Sequence, residues 1–371
     1  MKKIAIVGGG IIGMTLASYL DKPNVHVTVF DNEVGQATKA SAGIISPWLS
    51  KRRNKQWYQL AKEGAAFYEK LVADFQLDHS VYTKSGTLLL RKKNDLVDLA
   101  SLAEERKQDA PEIGEIALLS AEQTQQQLPL LGKFPALKIS GGGRLDGAAY
   151  LNRLKKRAVL NGVTLCQMAV AIKKEANHWV ICQRETGESI DTFDFVALTA
   201  GPGLNQLLTT LDYKVDIRPQ KGQLLSFTTN FKESTHWPVA MLDGESDLIP
   251  FSDGTILLGA THENDKGFDL TPTKEAYEHL RTVSQPFLSS DILFSGNLPD
   301  FRVGTRAYTS DFAPFFGPLP DDETLVVASG LGSSGLTTGP YIGYLLANYF
   351  HTNTFDSTLY QKKMETYIQK R

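Results

Sequence analysis

A glycine pattern near the start of the chain constrains its fold more than any other feature of the sequence. The pattern G-x-G-x-x-G occupies residues 8–13, after a β-branched apolar run at 3–7 and before an apolar stretch at 11–20. A second strand-like run at 25–30 ends at Asp31. In a strand–turn–helix–strand unit this spacing is typical of dinucleotide binding. The sequence therefore predicts a β-α-β unit that binds a dinucleotide.

The three glycines have separate expected roles. Gly8 permits the tight turn, Gly10 lets a diphosphate approach the backbone, and Gly13 lets helix and strand pack closely. The diphosphate would lie at the helix N-terminus, where amide groups and the helix dipole favour an anion. Asp31 would accept hydrogen bonds from ribose hydroxyls, and an acid at this position disfavours NADP. The motif alone does not separate FAD from NAD.

The first residues also bear a superficial likeness to a signal peptide, since Lys2 and Lys3 precede an apolar stretch and the small residue Ala17. The glycines at 8–13 suit a strand-to-helix turn better than a secretory helix. The apolar run is shorter than the roughly 18 residues that span a bilayer. We therefore expect a soluble cytoplasmic protein without an integral membrane segment. A peripheral membrane location would suit a dehydrogenase that serves a membrane carrier.

The composition of the chain excludes several classes of protein. Its 371 residues are 42% hydrophobic and 22% charged, which excludes a disordered or collagen-like chain. With 39 Lys and Arg against 41 Asp and Glu, the net charge of −2 gives little attraction for nucleic acid. Two cysteines, Cys166 and Cys182, are too few for a disulfide framework or a cysteine metal cluster. We predict no metal site and no nucleic-acid partner, and leave a homo-oligomer open.

Helix and strand signals alternate along the rest of the chain. Helices are indicated at 57–75 and 96–108, after Ser120, from Asp146 to Asn161, from Pro272 and at 336–350. The N-terminal unit and the last glycine-rich segment must meet if they bind one ligand. We therefore predict an α/β chain with a discontinuous nucleotide domain at 1–84, 146–220 and 300–371. A sheet-rich substrate domain at 85–145 and 221–299 would be inserted in it.

Two later glycine clusters favour FAD over NAD. A buried strand-like run at 195–199 leads into Ala200 and Gly201, and the segment 329–335 opens the last helix. That segment offers a second helix N-terminus to an extended ligand. A simple nicotinamide dehydrogenase has no evident need for it, whereas FAD is long enough to reach both regions. We predict FAD as the cofactor.

Over nearly its whole length the chain resembles the FAD-dependent D-amino-acid oxidase superfamily, which includes glycine oxidase, sarcosine oxidase and D-amino-acid dehydrogenase. The resemblance rests on motifs that occur in a common order: VGGGIIG, ATKASAGII, SGTLLLR, GGGRLDGAAYLNRL, DFVALTAGPG, IRPQKGQ, LIPFSDGTILLGATHE, FRVGTRAYTSDFAPFFGPLP and LVVASGLGSSGLTTGPYIG. It implies a Rossmann-type FAD-binding domain that is interleaved with an α+β substrate domain on a mostly antiparallel sheet.

The resemblance also implies which positions bind FAD. For the ADP half these are Gly8, Gly10, Ile11, Ile12, Gly13, Asp31, Asn32, Val170, Ala200 and Gly201. For the diphosphate, the ribityl chain and the flavin they are Thr38, Lys39, Ala40, Ser41, Gly43, Ile44, Ile45, Gly332, Ser333, Ser334, Gly335 and Leu336. No cysteine lies at the flavin-linking site of sarcosine oxidase, and no histidine lies in 37–43, where other relatives attach FAD. The resemblance therefore implies non-covalent FAD.

Arg306 matches the arginine that binds the substrate carboxylate in this family, and it is also counted among the residues that line the cofactor. A structural salt bridge is the alternative role for Arg306. Tyr308 and His262 are further candidates for the substrate pocket. The chain departs from the family pattern at Ala307, where a proline is usual, and at Ser333, where glycine oxidase has a second arginine. Residues 245–248 also lack the His/Tyr pair of glycine oxidase.

The resemblance implies oxidation of the Cα–N bond of a D-amino acid, glycine or a sarcosine-like secondary amine. The Cα hydrogen of a neutral amine would pass as hydride to flavin N5, and the imine product would hydrolyse. The electron acceptor is left open between O2 and a quinone or other carrier, that is, between an oxidase and a dehydrogenase. A non-catalytic FAD-binding redox sensor is an alternative of another class. A tRNA-modifying relative is a further one, which the near-neutral charge disfavours.

Overall fold

A computed structural model gives the fold of residues 2–20, 23–52, 54–244, 246–296 and 298–371. Its helices are α1 (Ile11–Tyr19), α2 (Ala37–Ala40), α3 (Lys55–Ala66), α4 (Tyr68–Phe75), α5 (Lys93–Lys107), α6 (Ala121–Gln127), α7 (Gly147–Leu160), α8 (Leu204–Thr209), α9 (Lys274–Ser284) and α10 (Gly335–Thr352). Its strands are β1 (Lys2–Val7), β2 (Val25–Phe30), β3 (Ile44–Ile45), β4 (Tyr82–Thr83), β5 (Thr87–Leu90), β6 (Ile116–Leu119), β7 (Ala136–Ile139), β8 (Gly143–Leu145), β9 (Thr164–Cys166), β10 (Val170–Glu175), β11 (His178–Gln183), β12 (Ser189–Phe193), β13 (Phe195–Leu198), β14 (Tyr213–Val215), β15 (Arg218–Thr228), β16 (Val239–Met241), β17 (Asp247–Pro250), β18 (Thr255–Gly259), β19 (Asp300–Tyr308), β20 (Phe315–Leu319), β21 (Asp322–Ser329) and β22 (Ile368–Lys370).

A six-stranded sheet contains the predicted β-α-β unit. Its strand order is β20-β21-β13-β1-β2-β9, and all neighbours are parallel except β20 and β21. β1 is buried on both faces because its side chains alternate between two cores. Ile4 and Ile6 pack in the cluster that includes helices α1, α7 and α10, whereas Ala5 and Val7 pack with the antiparallel strands β10–β12. The central strand is therefore covered by helices on one face and by a small sheet on the other.

The first and last helices of the sheet pack closely against each other. A Cβ at Gly339 would lie 2.6 Å from Cγ2 of Ile11, and a Cβ at Gly343 would lie 2.8 Å from Cβ of Thr15. Because Gly339 and Gly343 have no side chains, α10 can pack directly against α1. The two ends of the chain thus lie side by side, so the first and last glycine segments can face one ligand.

The second large sheet has eight strands in the order β19-β15-β18-β17-β16-β5-β7-β6. All of its neighbouring strands are antiparallel except β5 and β16. One face packs in a cluster that includes Leu88, Leu225, Leu258 and Leu280 of α9. The predicted fold class is confirmed, since a Rossmann-type sheet is interleaved with a domain built on a mostly antiparallel sheet.

The chain passes from the eight-stranded sheet to the six-stranded sheet after β19, since the next strand, β20, belongs to the latter. β19 pairs with β15 over its whole length, from Arg218 opposite Tyr308 to Ser226 opposite Asp300. It therefore lies in the eight-stranded sheet, although the predicted nucleotide domain includes 300–371. Arg302 of β19 also forms an ion pair with Asp146, whose carboxylate lies 3.2 Å from the guanidinium. The domain boundaries themselves stay a prediction.

The helix ends follow the capping signals in most places. Asp146 accepts a hydrogen bond from Ala149 N at 2.8 Å at the start of α7, and Ser120 forms the predicted capping box of α6. The predicted start of α9 at Pro272 is wrong. Thr273 is the cap, since its hydroxyl accepts a hydrogen bond from Ala276 N at 3.3 Å, and Pro272 lies before it. The predicted helical stretch at 57–75 forms two helices, α3 and α4.

Candidate active site

A cavity of about 720 Å³ is lined by residues of both large sheets. On the side of the six-stranded sheet it lies at the carboxyl ends of the parallel strands β1, β2, β13 and β21. Ligands of open α/β sheets bind at these strand ends. On the other side the wall is formed by β15, β17, β18 and β19. The cavity is therefore long enough to contact both domains.

The first glycine turn forms one wall of the cavity. Gly8 has φ +111°, and a Cβ at this position would lie 2.5 Å from Thr199 O. A Cβ at Gly13 would lie 1.9 Å from Gly8 O, so the turn and α1 touch here. Gly8, Gly10 and Ile12 line the cavity, whereas Gly13 does not and acts through packing. The N-terminus of α1 thus faces the cavity as a site for an anion.

The acid at the end of β2 lies beside this turn. Asp31 lines the cavity, and its Oδ1 accepts a hydrogen bond from Glu33 N at 3.0 Å. A Cβ at Gly9 would lie 2.8 Å from Asp31 Oδ2, so Gly9 belongs to the site although the motif does not require it. Lys39 also lines the cavity, but its ammonium group is paired with Glu33 at 2.8 Å. Hydrogen bonds from Lys39 and Lys155 lower the pKa of Glu33.

The segment 37–45 forms the adjoining wall. Thr38 Oγ1 accepts a hydrogen bond from Ile11 N at 3.1 Å, which fixes the segment to the start of α1. Gly43 has φ +85°, and a Cβ there would lie 2.1 Å from Leu145 O. Ile44 lines the cavity, whereas Ile45 is buried in the helical core below it. The segment is thus held at Thr38 by a side-chain hydrogen bond and at Gly43 by a backbone contact that leaves no room for a side chain.

The loop at 330–334, before the last helix, forms a further wall of the cavity. We call this loop and the segments 8–13 and 37–45 the cradle. Ser334 accepts a hydrogen bond from Trp57 Nε1 at 3.2 Å, and Gly332 has φ +54°. A Cβ at Gly332 would lie 2.3 Å from the ring of Tyr308. Tyr308 therefore supports the loop from behind and is not among the residues that line the cavity; its place in the substrate pocket stays a prediction.

The structure brings most of the predicted residues to this cavity. The predicted residues that line it are Gly8, Gly10, Ile11, Ile12, Asp31, Asn32, Thr38, Lys39, Ala40, Ser41, Gly43, Ile44, Val170, Ala200, Gly201, His262, Arg306, Gly332, Ser333, Ser334, Gly335 and Leu336. Gly13, Ile45 and Tyr308 lie outside it. The binding and catalytic roles of all these residues, inside and outside the cavity, stay predictions.

Arg306 extends into the cavity from β19. Its Nη1 donates hydrogen bonds to Gln220 Oε1 at 3.2 Å and to the Thr261 carbonyl at 3.0 Å. The guanidinium lies over Gly222, where a Cβ would be 2.6 Å from Nη1. Among the described residues no carboxylate forms an ion pair with Arg306, which speaks against the alternative of a structural salt bridge. Burial lowers the pKa of Arg306, and the nearby Tyr308 and Glu263 oppose this effect.

Arg52 and Asp247 are among the ionisable residues of the cavity wall that no motif indicated. Arg52 donates to Ser333 Oγ at 3.2 Å, and its guanidinium lies 4.6 Å from the ring centre of Trp57. A guanidinium thus reaches Ser333, where glycine oxidase was expected to have its second arginine. Asp247 lines the cavity from β17. Its signal in the sequence was a single acid at the start of an apolar run, and Glu245, two residues earlier, lies outside the described residues.

A substitution at Gly10 tests whether FAD approaches the backbone there, because the fold can accept an alanine at this position. The φ of Gly10 is ordinary, and a Cβ would meet only Thr38 Oγ1, at 3.5 Å. We expect Gly10→Ala to leave the thermal stability of the flavin-free protein unchanged. Its affinity for FAD should fall about 10- to 100-fold, because a methyl group would take space in the ligand's path at a cost of about 1–3 kcal/mol. Titration of flavin fluorescence measures this, with Gly296→Ala, at a site with no atom within 4 Å, as the control.

Comparisons with known proteins agree with this geometry. The sequence profile of the DAO family, described as FAD dependent oxidoreductase, matches residues 3–349. The chain is 37% identical to the uncharacterized oxidoreductase YurR of Bacillus subtilis, over 94% of each chain. It is 28% identical to glycine oxidase of Pseudomonas putida, over 91% of this chain and 92% of that one. The crystal structure of iminodiacetate oxidase from Chelativorans sp. BNC1 superposes with a TM-score of 0.89 at 28% identity, covering 98% of both chains.

The fold and the cradle define a flavin-dependent oxidoreductase. The chain belongs to the DAO family of FAD-dependent oxidoreductases, and its cofactor is FAD. The cradle fits this group, because the glycine turn at 8–13 has positions where any Cβ would clash or would face the ligand. Among the described residues no helix is long and apolar enough to cross a membrane.

Proposed function

We propose that this enzyme oxidises the Cα–N bond of a small amino acid or secondary amine whose carboxylate is bound by Arg306. The observation that carries the proposal is the state of this guanidinium. It lies in the cavity wall and uses Nη1 for two neutral acceptors, while Nε and Nη2 donate to none of the described residues. An arginine with two adjacent free donors suits a bidentate carboxylate.

FAD, when bound, supplies the acceptor for the hydride that leaves the substrate carbon. The chain itself supplies orientation and electrostatics. Arg306 would fix the carboxylate, and thereby the adjacent carbon, while its contacts to Gln220 and Thr261 keep its own side chain in place. The N-terminus of α10, preceded by the loop at 330–334, would present a positive end to the cofactor. No side-chain base is needed if the substrate amine is neutral.

The relatives support an amine as the donor. Glycine oxidase and iminodiacetate oxidase act on glycine and iminodiacetate, which are small amines that carry carboxylates. We further propose that FAD is bound non-covalently, since neither Cys166 nor Cys182 lines the cavity and 37–43 contains no histidine. Acid precipitation should release the yellow chromophore into the supernatant. A chromophore that stayed in the pellet would contradict this.

The test of the proposed function is anaerobic reduction of the flavin. D-amino acids, glycine, sarcosine and proline are mixed singly with the holoenzyme, and the loss of flavin absorbance is followed. We expect bleaching by at least one carboxylate-bearing amine and none by the matching amine without its carboxylate. Rapid reoxidation in air would identify an oxidase, and slow reoxidation a dehydrogenase with another acceptor. A flavin that no amine reduces would favour the redox sensor instead.

A further inference from the structure

A row of residues across the eight-stranded sheet forms one floor of the cavity. The register places Leu89, Met241, Asp247, Gly259 and Leu224 side by side on five neighbouring strands. Residues that are paired across strands share a face of the sheet, and all five line the cavity. Three of the neighbours are apolar and one is glycine. Asp247 is thus a carboxyl group set into an otherwise apolar floor.

The carboxylate of Asp247 has no partner among the described residues, since none of them donates a hydrogen bond to it or forms an ion pair with it. Arg91, whose charge acts on Asp247, is already engaged. Its Nη1 donates to the carbonyls of Met241 and Leu242 at 3.0 and 2.8 Å, and its Nε lies 3.6 Å from Asp243. Burial raises the pKa of Asp247 to about 7, and Arg91 partly opposes this effect.

A carboxyl group in this environment destabilises the folded protein. Burying a carboxyl among apolar side chains without a hydrogen bond destabilises the folded state, so unpartnered acids in cavities tend to be functional. Gly259, opposite Asp247, adds no side chain that would cover the carboxylate. The group is therefore accessible from the cavity and available to a ligand. A carboxylate in such a place favours a cationic group that can donate hydrogen bonds.

Asp247 and Arg306 lie too far apart to hold the same group. The side chain of Arg306 crosses from β19 to Gly222 on β15, and Asp247 lies two strands beyond, on β17. With a strand spacing of about 4.8 Å, the backbone of β17 is about 10 Å from that of β15. A molecule that reaches both residues must extend several bonds beyond its carboxylate.

We propose that Asp247 determines substrate specificity, by binding a cationic nitrogen of the substrate that is remote from the carboxylate held by Arg306. The preferred substrate is then a diamino monocarboxylate, with an α-carboxylate at one end and an ammonium group at the other. The reacting Cα–N bond lies next to the carboxylate, and the second nitrogen is not oxidised. This inference rests on the proposed function in taking Arg306 as the carboxylate site.

The experiment compares pairs of substrates that differ only in the remote charge. D-ornithine is paired with D-norleucine, and N-(2-aminoethyl)glycine with N-propylglycine, so that a methyl group replaces the remote ammonium group in each pair. For the wild-type holoenzyme we expect the second-order rate constant of anaerobic flavin reduction to be at least about tenfold higher for the cationic member of one pair, since hydrogen bonds between charged groups are stronger than those between neutral groups. In Asp247→Asn the ratio should fall to near one. Asp247→Glu should retain part of it, and Asp300→Asn, which removes the same charge at an exposed position of the same sheet outside the cavity, should retain all of it.

A binding measurement separates this inference from the proposed function. α-Methylornithine and α-methylnorleucine lack the α-hydrogen, so calorimetric titration of the holoenzyme reports their binding without turnover. We expect tighter binding of the cationic compound to the wild type and equal binding of both to Asp247→Asn. If the cationic compounds gain nothing over their neutral partners in rate and in binding, or if Asp247→Asn keeps the gain, the inference is wrong. If the gain appears in binding while no substrate reduces the flavin, the proposed function fails and the inference stands.

Discussion

Replacement of Arg306 by leucine is expected to lower kcat/KM for carboxylate-bearing amines by about 10²- to 10³-fold. Loss of one partner of a buried, hydrogen-bonded charge pair costs about 3–5 kcal/mol, and each 1.4 kcal/mol corresponds to a factor of ten. The loss should appear in both kcat and KM, because the carboxylate contact also orients the carbon that loses the hydride. Steady-state kinetics with the best substrate of the panel measure it. The flavin spectrum should remain that of the bound cofactor.

The control for this substitution is Arg218→Leu. Arg218 lies on β15 opposite Tyr308, donates to the Thr309 carbonyl at 3.2 Å and does not line the cavity. The Arg218→Leu variant loses the same charge from the same sheet. Its kinetics should stay near those of the wild type, because Arg218 lies outside the cavity. Arg306→Lys should fall between wild type and leucine, since an ammonium keeps the charge but not the paired donors. Unchanged kinetics in Arg306→Leu would remove the carboxylate site from the proposed function.

Gly8→Ala is expected to destabilise the protein and to abolish FAD binding. Gly8 has φ +111°, which an alanine rarely adopts, and the new Cβ would lie 2.5 Å from the carbonyl oxygen of Thr199. Strain and overpacking together should cost about 2–5 kcal/mol. The turn must move away from β13, which displaces the amides at the start of α1 from the ligand. The ratio of flavin to protein after purification and the thermal midpoint measure the two effects.

Gly187→Ala distinguishes strain from close contact at Gly8. Gly187 also has positive φ, at +73°, but a Cβ there would meet no atom within 4 Å. This variant should lose about 1–2 kcal/mol from its backbone conformation and retain a full complement of FAD. A Gly8→Ala protein as stable and as yellow as Gly187→Ala would mean that the turn can relax without cost.

Most of the residues predicted to bind FAD line the cavity, and local signals in the sequence indicated several of them. The spacing at 8–13 and the acid at the end of β2 lie within one short stretch, where chain connectivity alone brings them together. The resemblance added the segment 37–45 and the last glycine loop. Ile45 and Tyr308 are each buried next to a cavity residue but do not line the cavity themselves, and their roles stay predictions. Successive side chains of a strand point to opposite faces, and a sequence motif does not show which of them faces the cavity.

The substrate side was predicted less completely because it is assembled from distant parts of the chain. Arg52 reaches Ser333 from a loop 281 residues earlier, and no pattern in either segment indicates the other. Asp247 looked like the polar start of an ordinary strand. It becomes an unpartnered acid in the cavity wall only through the pairing of β16, β17 and β18, which places it between Met241 and Gly259.

The sequence by itself determined that this chain has a dinucleotide-binding turn and a cofactor of the FAD type, and it indicated Arg306 as a candidate for a carboxylate site. Those properties depend on residues that are close along the chain or on motifs in a fixed order. The tertiary structure decided which side chains face the cavity, which of them are already paired, and how far Arg306 lies from Asp247. Strand order and register set these features, since they join segments that are more than two hundred residues apart, such as β5 and β19.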